Sequence, residues 1–92
     1  MDKNININVR FSRDDFVMSL PFEEKIFYFY LMYNRKTNHR GIYNLPLKFA
    51  EFELGLSNEK IKNLIKRFVD YGKILYDEKT EEIMILDWYK YH

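Results

Sequence analysis

Cysteine is absent from this chain. That excludes a disulfide framework, a thiolate nucleophile and any cysteine-based zinc site. The absence fits a reducing compartment. Small residues are also scarce: three glycines, two prolines and a single alanine, Ala50. Gly41, Gly55 and Gly72 stand far apart, so no glycine-rich loop is available to cradle a phosphate. The longest apolar run, Ile26 to Tyr33, has eight residues and is too short to span a bilayer. The opening Met1-Asp2-Lys3-Asn4 lacks the anatomy of a signal peptide, so the expectation is a cytoplasmic protein with no membrane partner. Histidine is limited to His39 and His92, which share no metal-binding spacing. The serines are Ser12, Ser19 and Ser57. At least two of these suit helix caps, and none has a plausible histidine partner. Asp14, Asp15, Glu23 and Glu24 precede or open helix-like segments, where capping and the helix dipole account for them. The expectation is therefore a protein that is not an enzyme and uses no cofactor or metal.

What the chain does have is aromatic rings. Of its 92 residues 47% are hydrophobic and 18% aromatic, with eight Phe and eight Tyr. A domain of this length buries roughly 60–65% of its unfolded surface. Large rings supply buried area that a short chain cannot obtain from residue number. One domain is expected.

The net charge is only +1, so any role with nucleic acid must come from how charge is distributed. Residues 55–73 carry Lys60, Lys62, Lys66, Arg67 and Lys73 against Glu59 and Asp70, a local excess of +3. Residues 74–92 carry Lys79 and Lys90 against Asp77, Glu78, Glu81, Glu82 and Asp87, a local −3. A basic section is followed by an acidic one.

Hydrophobic periodicity sets the element order. Ile5, Ile7, Val9 and Phe11 alternate with polar residues, the pattern of a half-buried strand. Such a strand is either an internal sheet edge or an oligomerisation arm over residues 1–11. Ser12-Arg13-Asp14-Asp15 fits a capping box opening a short helix to about Ser19. Pro21 suits the first turn of a helix to about Arg35. Phe22, Ile26, Phe29, Tyr30 and Tyr33 fall at helical spacing there, and Phe27 and Leu31 widen the stripe enough to suggest a central core helix. Gly41-Ile42-Tyr43 suits a very short strand. Pro46 opens a helix to Leu54, Gly55 is placed to end it, and Ser57 to cap the next. Ile61, Leu64, Ile65, Phe68 and Val69 mark the apolar face of that third helix, which Gly72 ends. Lys73–Asp77 and Glu82–Asp87 read as a hairpin around Glu78-Lys79-Thr80-Glu81, before the aromatic tail Trp88 to His92. Two helices separated by Gly55-Leu56-Ser57 and followed by a hairpin make a winged helix-turn-helix in an α+β, mainly α domain over residues 12–92.

Specific residues carry a resemblance. They are Leu20-Pro21-Phe22-Glu23-Glu24-Lys25, Phe27-Tyr28-Phe29-Tyr30-Leu31, Asn34, Thr37-Asn38 and Gly41-Ile42-Tyr43-Asn44-Leu45-Pro46. After them come Glu53-Leu54-Gly55-Leu56-Ser57, Gly72-Lys73-Ile74-Leu75-Tyr76-Asp77 and Ile85-Leu86-Asp87-Trp88. Over roughly residues 9–91 the set resembles the N-terminal winged-helix domain of DnaD-like replication proteins and phage replisome organisers. The resemblance implies a bacterial or phage protein that self-associates, helps build a primosome and helps load the helicase. Its partners would be DNA, further copies of itself and other replication-initiation proteins or a helicase loader. In that family a separate C-terminal domain carries much of the DNA and helicase contact. Asp87 departs from the family's Asn before Trp88, and the hairpin is more acidic than direct DNA contact would favour.

The solvent face of the third helix carries Asn58, Lys62, Asn63, Lys66 and Arg67. Cations there suit phosphates, Asn63 could read adenine and Arg67 guanine. An ordinary solvated helix face has the same composition. Ile5, Ile7, Val9 and Phe11 are the candidate oligomer interface. Three functions remain open: a replication adaptor binding DNA weakly, a winged-helix transcriptional regulator, and a protein-interaction module without DNA affinity.

Overall fold

The computed structural model describes residues 9–34, 36, 37 and 40–92. Its elements are α1 (Val9–Arg13), α2 (Asp15–Ser19), α3 (Phe22–Tyr33), β1 (Ile42–Asn44), α4 (Leu47–Leu54), α5 (Asn58–Asp70), β2 (Ile74–Asp77), β3 (Glu82–Ile85) and α6 (Trp88–Tyr91). The protein is α+β, mainly helical, with one small antiparallel sheet. Among the described residues no helix is long and apolar enough to cross a membrane.

The strand expected over residues 4–11 is corrected where it can be seen. Val9–Arg13 is helical, and Phe11 is buried among Tyr28, Phe29, Tyr33 and Tyr91. Its ring serves the chain's own core instead of an oligomer arm. Ile5 and Ile7 lie outside the described residues. At Phe11 the alternation gives way to tertiary packing, in which one ring meets four others.

The helix cap at this end also moves. Asp14, not Ser12, caps α2: its Oδ1 accepts from the Phe16 and Val17 N–H groups at 2.9 and 3.3 Å. Its Oδ2 pairs with Lys90 Nζ at 2.7 Å. Together with the Phe11–Tyr91 ring contact, this joins the start of the described chain to its end.

α3 is the central helix, but its buried side differs from the expected stripe. Phe27, Tyr28, Leu31, Met32 and Tyr33 are buried, together with Glu24, while Phe22, Ile26 and Phe29 are exposed. Tyr28 stacks on Phe68 of α5 with centroids 5.1 Å apart. Asn34 closes α3. Its amide donates to the Tyr30 carbonyl and to the Tyr43 hydroxyl, which itself donates to the Leu31 carbonyl at 2.6 Å. The turn after α3 is thus anchored to β1.

The helices α4 and α5 meet at Gly55, which ends α4 in the left-handed conformation at φ 68°. Ser57 then caps α5, its Oγ accepting from the Lys60 N–H at 3.1 Å. On α5, Ile61, Leu64, Ile65 and Phe68 are buried and Val69 is partly exposed. One amphipathic face therefore packs inward and leaves the cations outside.

The sheet order is β1-β3-β2, all antiparallel. Tyr43, Ile83 and Tyr76 form one inward row, and Ile74 with Ile85 another. The opposite face carries Ile42, Met84 and Leu75 in register, followed by Asn44, Glu82 and Asp77. Lys73 pairs with Asp87 at 2.7 Å across the base of the hairpin, which gives a carboxylate at 87 a partner. Trp88 and Tyr91 of α6 are buried, so the aromatic tail closes the core.

Candidate functional site

Two flanks of α5 emerge beside its buried face, and they have different duties. The flank toward α3 is engaged within the chain. Arg67 Nη1 lies 2.7 Å from Glu24 Oε2, the Tyr71 hydroxyl donates to Glu24 Oε1 at 2.7 Å, and Lys60 pairs with Glu23 at 3.1 Å. Glu24 is the one charged residue buried as a whole among the described residues, and the Asp14 side chain is nearly as enclosed. Burial opposes its charge, yet the Tyr71 hydroxyl and the Arg67 guanidinium outweigh that and hold its carboxyl below the usual range. The same contact pushes the Arg67 guanidinium higher.

The other flank faces the hairpin across an open groove of about 720 Å³. Lys62, Asn63 and Lys66 line it from α5, Lys48 and Leu47 from α4, and Tyr76, Glu78 and Glu81 from the hairpin side. Asn58 sits at its end, where its amide donates to Glu51 of α4 at 2.8 Å. Of the five residues singled out in the sequence, four therefore gather at one groove. Arg67 does not: it turns to α3 and is not among the groove's walls.

Electrostatically the groove is divided. Its helical wall carries the ammonium groups of Lys48, Lys62 and Lys66, and its hairpin wall carries carboxylates. The pKa of Tyr76 records this second wall, because burial first, then Glu81 and Glu78, push its hydroxyl up to about 12. Glu81 is partly committed: its Oε2 accepts from the Leu47 N–H at 3.0 Å and so caps α4. It does this from φ 61°, the one positive φ at a non-glycine among the described residues. An anionic ligand would be drawn to the α4/α5 wall and held off the hairpin tip.

Sequence reasoning missed Lys48, Tyr76 and Glu81. Lys48 is the lone cation of α4, and its presence at the groove follows only from how α4 crosses α5. Glu81 reads in the sequence as one acid in an acidic turn; only its backbone conformation reveals the cap.

His92 stacks on Trp88, centroids 3.9 Å apart, and burial lowers its pKa. His39 lies outside the described residues. Among the described residues no three His, Cys, Asp or Glu side chains converge into a metal-binding set. No family model matches the chain, and searches of the curated proteins and of the solved structures find no match either.

Proposed function

We propose that this protein is a winged-helix module of the DnaD-like, phage replisome-organiser type. It would act as a replication-initiation adaptor that self-associates and contacts DNA weakly. α4 and α5 are the helix-turn-helix, α5 holds the recognition position, and β2–β3 is the wing. The carrying observation is the groove beside α5, where Lys48, Lys62 and Lys66 and the amide of Asn63 share a wall without any ion-pair partner among the described residues. Three cations on one wall suit a few phosphates, and Asn63 between them suits a base edge or a further phosphate. Self-association and the helicase-loading partners rest on the resemblance alone.

The acidic wing favours a second reading, an assembly module without DNA affinity of its own. A transcriptional regulator is the least supported, because the tip that would follow the recognition helix onto DNA is anionic.

Duplex DNA titrated at several salt concentrations separates these readings. Each phosphate contact adds about 0.9 to the log–log slope. A slope of at least about two, flattened in Lys48→Ala/Lys62→Ala/Lys66→Ala, supports the adaptor. Competition by unrelated sequence then distinguishes adaptor from regulator, since a regulator discriminates by base. Absence of binding at low salt leaves the assembly module. Arg67 is omitted from the variant because its loss would disturb Glu24.

A further inference from the structure

We infer that the outward face of the three-stranded sheet is a docking surface for a basic amphipathic helix of a partner protein. This goes beyond the DNA reading and does not depend on it, although the two surfaces meet at Val69, Tyr76 and Glu78. Three observations converge on the face. Ile42, Met84 and Leu75 stand side by side across the three strands. Leu75 is 52% exposed, Leu86 44% and Met84 37%. Ile42, Met84 and Leu75 border a shallow depression that also takes in Val69 and Tyr76 and continues to Asp77, Glu78, Lys79 and Glu82. An apolar strip of this kind on a small domain is a mark of interaction.

The acidic end selects the occupant. Asp77 and Glu82 are directly opposed across β2 and β3, an arrangement of like charges that destabilises a strand pair. The Asp77 Oδ1 is engaged by the backbone N–H groups of Lys79 and Thr80 at 2.8 and 3.2 Å. Among the described residues no lysine or arginine pairs with Asp77, Glu78 or Glu82. A cation placed between Asp77 and Glu82 relieves their repulsion, whereas a phosphate or an anionic lipid surface adds to it.

Dimensions favour a helix. The three-strand row is about 10 Å wide, the diameter of one helix with its side chains. Met84 and Glu82 follow one another on this face of β3 at an interval of about 6.8 Å, and the exposed Leu86, one residue past the strand and bonded through its N–H to the Lys73 carbonyl, continues the alternation. Four helical residues advance about 6 Å. A helix lying along β3 would therefore set apolar residues at i and i+4 over Leu86 and Met84, and a lysine or arginine at i+8 over Glu82.

The test uses the whole chain labelled with nitrogen-15 and a synthetic peptide of about 15 residues, a length at which an isolated helix begins to hold. The peptide carries Leu at i and i+4 and Lys at i+8; a second peptide has Glu in place of Lys. Saturable shifts at the amides of Ile42, Leu75, Met84 and Leu86, with the Glu peptide about fivefold weaker, are expected. Glu82→Gln should weaken the Lys peptide by a similar factor, about fivefold, and Leu75→Ser or Leu86→Ser by about tenfold. Both leucines are solvent-facing, and an otherwise unchanged spectrum certifies the fold of each variant. Equal binding of the two peptides, shifts centred on α5, or full affinity in both leucine variants overturns the proposal. So does a concentration-dependent shift of the free protein at these same residues that Leu75→Lys abolishes, because the face would then belong to a second copy.

Discussion

Arg67 reaches across from α5 to hold the carboxylate of Glu24, Nη1 to Oε2 at 2.7 Å. The contact changes the meaning of a residue that looks, in sequence, like a base reader. A buried carboxylate deprived of its cation is an uncompensated charge. Arg67→Ala should therefore lower the thermal midpoint clearly, while Lys62→Ala and Lys66→Ala leave it nearly unchanged, as surface changes usually do. Melting the three variants in parallel is the check. Equal midpoints would mean that Glu24 does not need its partner.

The same carboxylate predicts an acid response. The carboxyls of Glu24 and Asp14 both lie below their ordinary values. Burial opposes each, but Tyr71 and Arg67 outweigh it for Glu24, and Lys90, Tyr91 and the Val17 N–H for Asp14. A depressed carboxyl binds fewer protons in the fold than in the unfolded chain. Its stabilisation is complete above the unfolded value, about 4, and disappears as the pH falls through the folded one. His92, held low by burial, adds a separate decline below about pH 6.5. Comparing wild type with Glu24→Gln cancels that histidine contribution. The variant should melt lower at neutral pH and lose less on going to about pH 3. Parallel acid limbs would contradict the role given to Glu24.

Much of the fold was legible because strong local signals agreed with the tertiary structure. Gly55, Ser57 and the Ile61-Leu64-Ile65-Phe68 face locate α5, and the two hydrophobic runs around Glu78 locate the hairpin. Val9–Phe11 was misread as strand because alternation is a local pattern. The ring of Phe11 answers instead to Tyr28 and Tyr91, distant in sequence. α3 was misjudged for a related reason: with apolar residues on nearly every side, periodicity cannot tell which side is buried. Glu24 faces inward only because Arg67 and Tyr71 meet it there. At the candidate site the α5 lysines were readable from helical spacing. Their division from Arg67, and the contribution of Lys48, depend on which neighbouring helix each flank meets.

Glu81 combines two opposing effects that substitution can separate. Its left-handed backbone is unfavourable for a residue with a Cβ, by about 1 kcal/mol. Its carboxylate caps α4, a contact of about 1 kcal/mol. Glu81→Ala keeps the first and loses the second, so it should cost about 1 kcal/mol. Glu81→Gly loses the cap but relieves the backbone, so it should lie close to wild type. Chemical denaturation of both variants tests the order. An alanine variant as stable as the glycine variant would show that φ at this position carries no cost.

Gly41 poses the opposite problem, because nothing smaller can replace it. Its φ is 73°, and a Cβ built there would lie 2.6 Å from Trp88 Cβ, with the indole Cγ nearer still. The tryptophan is buried and cannot withdraw without opening the contact between α6 and the start of β1. Backbone strain and overpacking therefore act together, and Gly41→Ala should cost about 2–4 kcal/mol. Gly55 shares the left-handed backbone, but a Cβ there would meet nothing within 4 Å. Gly55→Ala carries the conformational penalty alone, about 1 kcal/mol. Denaturant midpoints of the two variants isolate the packing contribution, and Trp88 is the chain's single tryptophan, so its fluorescence reports on the site directly. Gly41→Ala should shift the native emission as well as the midpoint, whereas Gly55→Ala should move the midpoint and leave the native emission unchanged. Equal losses in the two variants would mean that Trp88 yields to the added methyl group and that the close approach of indole to backbone is not what fixes glycine at position 41.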